Sequence, residues 1–233
     1  MTFWILLAAG IAWLLWYMIA VPGKPYTGPL PPLSDEQTVL RDNLRRHVFA
    51  VGSRERNLWQ PAPLEAAARH IEDALAGFGY TPSAQRFTTG GVAVRNIEAE
   101  ITGGARAGEI VIVGAHYDSV QGATGGNDNG SGVAAVLELA RLARNLKPAR
   151  TLRFVLFVDE EPPFFKSGEM GSRKYARRAK ERGENIVDAR RRKPKLRSSQ
   201  DLLMLLSDRS VEGGLEVARE HRFDDPAGRS GGR

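Results

Sequence analysis

Two long apolar runs dominate the pattern of the chain. Val111-Ile-Val-Gly-Ala-His116 and Thr151 to Val158 are rich in β-branched and aromatic residues without polar alternation, as in strands buried on both faces. Between them, Val133-Ala-Ala-Val-Leu-Glu-Leu-Ala-Arg-Leu142 repeats apolar positions at helical spacing. Upstream, Ser34-Asp-Glu-Gln37 has the form of a capping box and predicts a helix through about Phe49. Residues 63–78 predict a second helix, with Leu64, Ala67, Ile71 and Leu75 on one stripe and Gly79 at its end. Gln85 to Thr88 and Val92 to Ile101 predict paired strands around a Gly90-Gly91 turn. Strand, helix, strand in this order predicts an α/β fold, with flanking helices on a mixed sheet of mostly parallel type.

The N-terminus follows another pattern. Phe3 to Val21 carries no charge, and at ~1.5 Å per residue it nearly spans a ~30 Å hydrocarbon core. Trp4, Trp13, Trp16 and Tyr17 lie within it, and those near the ends suit the interfacial belts of a membrane. No Lys or Arg precedes the run and no Ala-x-Ala follows it, so an uncleaved anchor is expected in preference to a cleaved signal. Lys24 is the only nearby charge and marks orientation poorly. Residues 22–33, with five prolines and two glycines, form a semi-extended linker.

The candidate chemistry sits at the ends of the two long runs. His116 closes the first, and Asp118 follows two residues later. Asp128 lies in Gly126-Asn-Asp-Asn-Gly-Ser-Gly132, a loop that opens the central helix, and Glu160-Glu161 directly follow the second run. Any one of these is commonplace; three in order at strand ends and a helix start are not. Ligands of open α/β sheets bind beyond the carboxyl ends of the strands. Imidazole and carboxylate together are zinc ligands, and two zincs ~3.5–4 Å apart need a carboxylate that bridges them. His116 suits a terminal ligand, and Asp118 can accept its second N–H and hold the tautomer. Asp128 can address two metals. Adjacent glutamates leave the backbone in different directions, so one can bind metal while the other takes a proton.

His116-Tyr-Asp118-Ser-Val, Gly126-Asn-Asp128-Asn-Gly-Ser-Gly and Phe157-Val-Asp-Glu160-Glu161-Pro-Pro-Phe-Phe resemble the co-catalytic zinc aminopeptidases, a family including bacterial leucyl aminopeptidase and relatives of glutamate carboxypeptidase. The resemblance runs from about Leu40 to about Val187 and takes in Met170-Gly-Ser172 and Tyr175-Ala. It implies a zinc-exopeptidase-like fold, peptide substrates and two Zn2+ ions. It also implies roles: His116 and Glu161 as terminal ligands, Asp128 as the bridging ligand, Glu160 as general base, and Asp118 as the partner that orients His116. A catalytic part in the periplasm or outside the cell, on a single-pass membrane protein, follows from the same resemblance.

The family site takes two further ligands, an acidic residue after the next strand and a histidine near the end. After Asn185-Ile-Val187, where an apolar strand is expected, the chain reads Asp188-Ala-Arg-Arg-Arg-Lys-Pro-Lys-Leu-Arg197. His221, followed four residues on by Asp225, only faintly matches the closing motif. His47 and His70 lie in helical patterns and are expected to be surface or packing residues.

Charge divides at the same place. Arg173 to Arg233 hold 17 Lys+Arg against 10 Asp+Glu, and the whole chain 33 against 27, which leaves 16 against 17 for the earlier part. The net +6 therefore belongs to the tail. Only Tyr175 and Phe223 lie among its basic residues, too few aromatics to stack on bases, so nucleic acid is not an expected partner. Arg-, Gly- and Pro-rich composition there leads us to expect loss of the coding frame after about Val187, with a natural basic tail as the alternative. There is no cysteine, which removes disulfides and thiol chemistry. The expected organisation is an anchor at 1–21, a linker at 22–33, a partial zinc-peptidase domain at 34–187, incomplete at its C-terminal side, and a basic, disordered tail at 188–233. The two functional expectations are a membrane-anchored two-zinc aminopeptidase and a catalytically inactive remnant of that fold.

Overall fold

Over residues 2–20 and 27–187, which the computed structural model describes, the chain forms α1 (Thr2–Ile19), α2 (Asp35–Gly52), α3 (Pro61–Gly77), β1 (Ser83–Thr89), β2 (Val92–Ile101), β3 (Arg106–His116), α4 (Ser131–Ala143), β4 (Arg150–Phe157), α5 (Gly171–Glu181) and β5 (Asn185–Ile186). Two compact units result, one ending at Ser34 and one beginning at Asp35.

In the second unit the strands lie in the order β1-β2-β4-β3-β5. β1 with β2 and β2 with β4 run antiparallel, whereas β3 runs parallel to both β4 and β5. The sheet is thus mixed, and its parallel part holds the two long apolar runs. β4 is central, and Leu152, Phe154, Val155 and Leu156 are each at most 1% exposed. Alternation of side chains divides them between two faces. Phe154 meets Tyr80, whose hydroxyl donates to the Ala140 carbonyl of α4, while Phe157 packs on Tyr175 of α5. Arg153 shares the α5 face and ion-pairs with Glu100 and Glu184.

The other face is covered by α3 and α4, with α2 packed against these two helices. Leu64, Ala67, Ile71 and Leu75, the stripe read from the sequence, are all buried, as are Val133, Val136, Leu137 and Ala140. Each large aliphatic side chain buried this way contributes ~1.5–3 kcal/mol. The β1–β2 hairpin turns at Gly90 and Gly91, with φ of 54° and 82°, the left-handed pair that matches strand twist in a two-residue loop.

Register decides where the site can form. His116 at the end of β3 lies beside Phe157 at the end of β4, so the two parallel strands finish level and their following loops emerge together. On the far side of β3, Asn185–Ile186 adds only a short parallel pairing. The expected basic tail, with His221 and Asp225, lies outside the described residues.

α1 is fully exposed along its length, with a mean hydropathy of 1.9. It is the one helix among the described residues long and apolar enough to cross a membrane.

Candidate metal centre

Three chain segments meet beyond the level ends of β3 and β4. His116 is the last residue of β3. Asp128 stands in a wide five-residue turn, Gly126–Gly130, where its φ of −112° and ψ of 95° depart from helix. Asp159 has φ of 58° and bends the chain sharply after β4, so that Glu160 and Glu161 face the other two segments. One donor atom from each of His116, Asp128 and Glu161 lies within 4.8 Å of the others.

The details suit a cation. His116 Nε2 is 3.1 Å from Asp128 Oδ1 and 3.8 Å from Glu160 Oε2. Its Nδ1 faces Asp118 Oδ1 at 3.5 Å; both atoms are buried and neither has a closer hydrogen-bond partner. A neutral imidazole with its proton on Nδ1, directed at Asp118, leaves Nε2 free as a ligand. The other oxygen of Asp118 accepts the main-chain N–H of Glu160 at 3.0 Å and of Glu161 at 3.1 Å. Asp118 therefore joins the β3 end to the loop that carries both glutamates.

Four carboxylates, those of Asp118, Asp128, Glu160 and Glu161, crowd one imidazole here, and the two glutamates and the imidazole respond to it. Burial, then repulsion by Asp128 and other acidic neighbours, raises Glu161 above the ordinary carboxylate range. Glu160 is raised too, by burial first, with His116 opposing and Asp118 and Asp128 adding. Burial would lower His116, but the facing Asp118 and the charges of Glu160 and Asp128 outweigh it and the net shift is upward. Burial pushes the Asp159 carboxyl up to about 7. A divalent cation would relieve this excess of negative charge, and one imidazole with two carboxylates is a donor set zinc accepts. On these grounds the residues fit the metal.

All five residues singled out in the sequence thus lie in one place: His116, Asp128 and Glu161 as the donor cluster, Glu160 beside it, and Asp118 behind it. His47 and His70 do not join them. They meet each other in the helical layer, at 3.0 Å, beside Glu138. Arg56 and Asn57 were not anticipated. Asn57 donates to the Ser119 carbonyl, and the wholly buried Arg56 donates to carbonyls on either side of Asp118. Arg56 sits in a Gly-Ser-Arg-Glu-Arg-Asn loop, and nothing in that composition separates it from a surface arginine.

Comparisons with known proteins point to a peptidase family. The sequence model of peptidase family M28 matches residues 96–189. Leupeptin-inactivating enzyme 1 of Streptomyces exfoliatus is 31% identical over 159 residues, covering 67% of this chain and 35% of that protein. A probable lipoprotein aminopeptidase, LpqL of Mycobacterium tuberculosis, is 33% identical over 139 residues, covering 59% of this chain and 26% of its own. Among solved structures, an aminopeptidase from Aneurinibacillus sp. strain AM-1 superposes with a TM-score of 0.51 at 17% identity, over 59% of this chain and 66% of that one. The chain spans about a third or less of the length of the curated relatives it matches.

Proposed function

The chain belongs to peptidase family M28, and we propose from this that it is a membrane-anchored, zinc-dependent hydrolase of aminopeptidase type acting on peptides. One observation carries the reading: donor atoms of His116, Asp128 and Glu161, from three separate segments, converge within 4.8 Å with the free carboxylate of Glu160 at their side.

His116 and Glu161 would hold zinc as terminal ligands, and Asp128, whose side chain is 77% exposed, would address two ions. Bound there, zinc would supply Lewis acidity to the scissile carbonyl and acidify water toward a pKa of ~7. Glu160, beside the donor cluster, would serve as the general base, taking a proton from water and passing it to the departing amine. Burial and its acidic neighbours raise the Glu160 carboxyl, which brings a base closer to the pH at which it must both accept and release a proton. Asp118 keeps the Nδ1 proton of His116 in place and, through the two main-chain N–H groups, fixes where Glu160 and Glu161 begin. The part of the chain where the family's two further ligands would be expected lies outside the described residues.

α1 would anchor the protein, with the catalytic unit on the periplasmic or extracellular side. Its length and apolar surface support this, as does the lipoprotein name of one relative.

The test is zinc-loaded chain on an aminoacyl chromogenic substrate. Hydrolysis should be abolished by a chelator, and Glu160→Gln should reduce it by ~10²–10⁴-fold while zinc content stays unchanged. Zinc binding without chelator-sensitive hydrolysis would leave the second reading, a metal-binding remnant of the fold. Wild-type turnover in Glu160→Gln would remove that residue from the role of base.

A further inference from the structure

Arg56 is 0% exposed, and no carboxylate among the described residues pairs with its guanidinium. Its partners are main-chain oxygens: Nε donates to Tyr117 O at 2.6 Å, Nη2 to Gly125 O at 2.9 Å, and Nη1 to Thr124 O. Its main chain is pinned as well. Arg56 N donates to Ser119 Oγ at 3.0 Å, and Ser119 N donates to Arg56 O at 2.9 Å. Burying a guanidinium without a counter-ion is unfavourable, and an aliphatic side chain would fill the same space. An arginine is justified there only by what its fork reaches.

It reaches two segments that carry the candidate ligands. Tyr117 directly follows His116 and precedes Asp118. Thr124 and Gly125 lead directly into the turn that presents Asp128. Between them, residues 118–124 have no regular secondary structure, so the sheet does not hold the second segment at a fixed distance from the first. The planar fork, with its donors in fixed directions, does. The negative charges that act on Arg56 are those of Asp118 and Glu161, across the same centre.

We propose that Arg56 is a positioning residue of the metal centre, a clamp that sets the span between His116 and Asp128 and so determines metal affinity. The proposal rests on the zinc reading above. Gly125 offers an approach from the other side of the clamp. It has φ of +63°, and a Cβ there would fall 2.5 Å from Asp128 O, 2.7 Å from Ser119 Cβ and 3.2 Å from Arg56 Nη1. Gly125→Ala therefore crowds the Asp128 turn as well as the Arg56 contact while the arginine is kept.

The experiment titrates the full chain with Co2+, followed by visible absorption and by competition with Zn2+. The proteins are wild type, Arg56→Lys, Gly125→Ala, Asp128→Asn and the Arg56→Lys/Asp128→Asn double variant, with melting temperatures of the metal-free forms recorded alongside. Lysine keeps the charge and loses the fork. The expected result is a loss of Co2+ affinity of ~10–100-fold in Arg56→Lys and Gly125→Ala, as for groups that orient ligands elsewhere. Their spectra should shift toward that of Asp128→Asn, and the double variant should bind no more weakly than Asp128→Asn alone, because both changes remove the same contribution. Should Arg56→Lys fail to fold, Gly125→Ala carries the test. Wild-type affinity and spectrum in the folded variants would overturn the clamp, whatever their melting temperatures. So would losses that add in full to that of Asp128→Asn. A wild-type chain that binds no Co2+ would overturn the zinc reading, and the clamp with it.

Discussion

The Asp118 carboxylate accepts the main-chain N–H of Glu160 at 3.0 Å, across 42 residues of sequence. With the parallel bond from Glu161 at 3.1 Å and Oδ1 facing His116, one side chain orients three neighbours at once. A carboxylate has acceptors enough for this; an amide does not, since one of its ends only donates.

Asp118→Asn should accordingly lower zinc affinity by ~10–100-fold, the usual cost of losing an orienting partner. Competition with a chromogenic chelator measures it. Unchanged affinity would mean that the loops after β3 and β4 hold their geometry without Asp118.

Acid should destabilise the fold through the helical layer. His47 Nδ1 and His70 Nε2 are 3.0 Å apart, and His47 Nε2 is 3.6 Å from Glu138 Oε1. Burial, then the neighbouring His70, lowers His47, with Glu138 opposing; burial lowers His70, with Asp73 opposing. Below the unfolded value of ~6.5 the unfolded chain binds protons that the folded chain refuses, so stability falls as pH drops. Above ~7.5 both states are neutral and this contribution is flat. The raised Asp159 and His116 act in the opposite direction in both proteins, so the histidine contribution is read as a difference: between pH 7.5 and 5.5 the melting temperature of the wild type should drop relative to that of His47→Gln/His70→Gln. Equal slopes in the two proteins would rule the histidines out.

Leu137 of α4 is 0% exposed and belongs to the core between the helices and the sheet. Leu137→Ala should cost ~2–5 kcal/mol in denaturant unfolding, from lost transfer energy and the cavity left behind. A cost within ~0.5 kcal/mol, typical of surface positions, would contradict the packing described.

α1 should keep the chain in membranes. Expressed in bacteria, the protein should sediment with the membrane fraction and stay there through high-salt and alkaline washes, because an apolar helix of this length satisfies its own backbone in lipid. A mature N-terminus near Val21 or Pro22 would identify α1 as a cleaved signal instead.

Much of this protein could be read locally. Residues 151–158 announce a buried strand by composition alone, residues 111–116 announce a strand of which only Val111 and Ala115 are buried, and Leu64, Ala67, Ile71 and Leu75 mark the buried stripe of α3. The positions of His116, Asp128 and Glu160-Glu161 relative to those elements are equally a matter of sequence, because strand and helix periods are set by nearest neighbours along the chain. Their convergence needed the register that puts His116 beside Phe157 and the sheet order that places β4 between β2 and β3. Those depend on how the whole set of apolar faces packs at once. Arg56 was illegible for a further reason: its acceptors are main-chain carbonyls, which every residue carries, so no residue type announces them. The meeting of His47, His70 and Glu138 from three helices is of the same kind. Sequence alone determined which side chains stand at the ends of which elements. Tertiary structure decided which of those ends meet, because contacts between distant segments are set by packing and by backbone hydrogen bonds that side-chain identity does not encode.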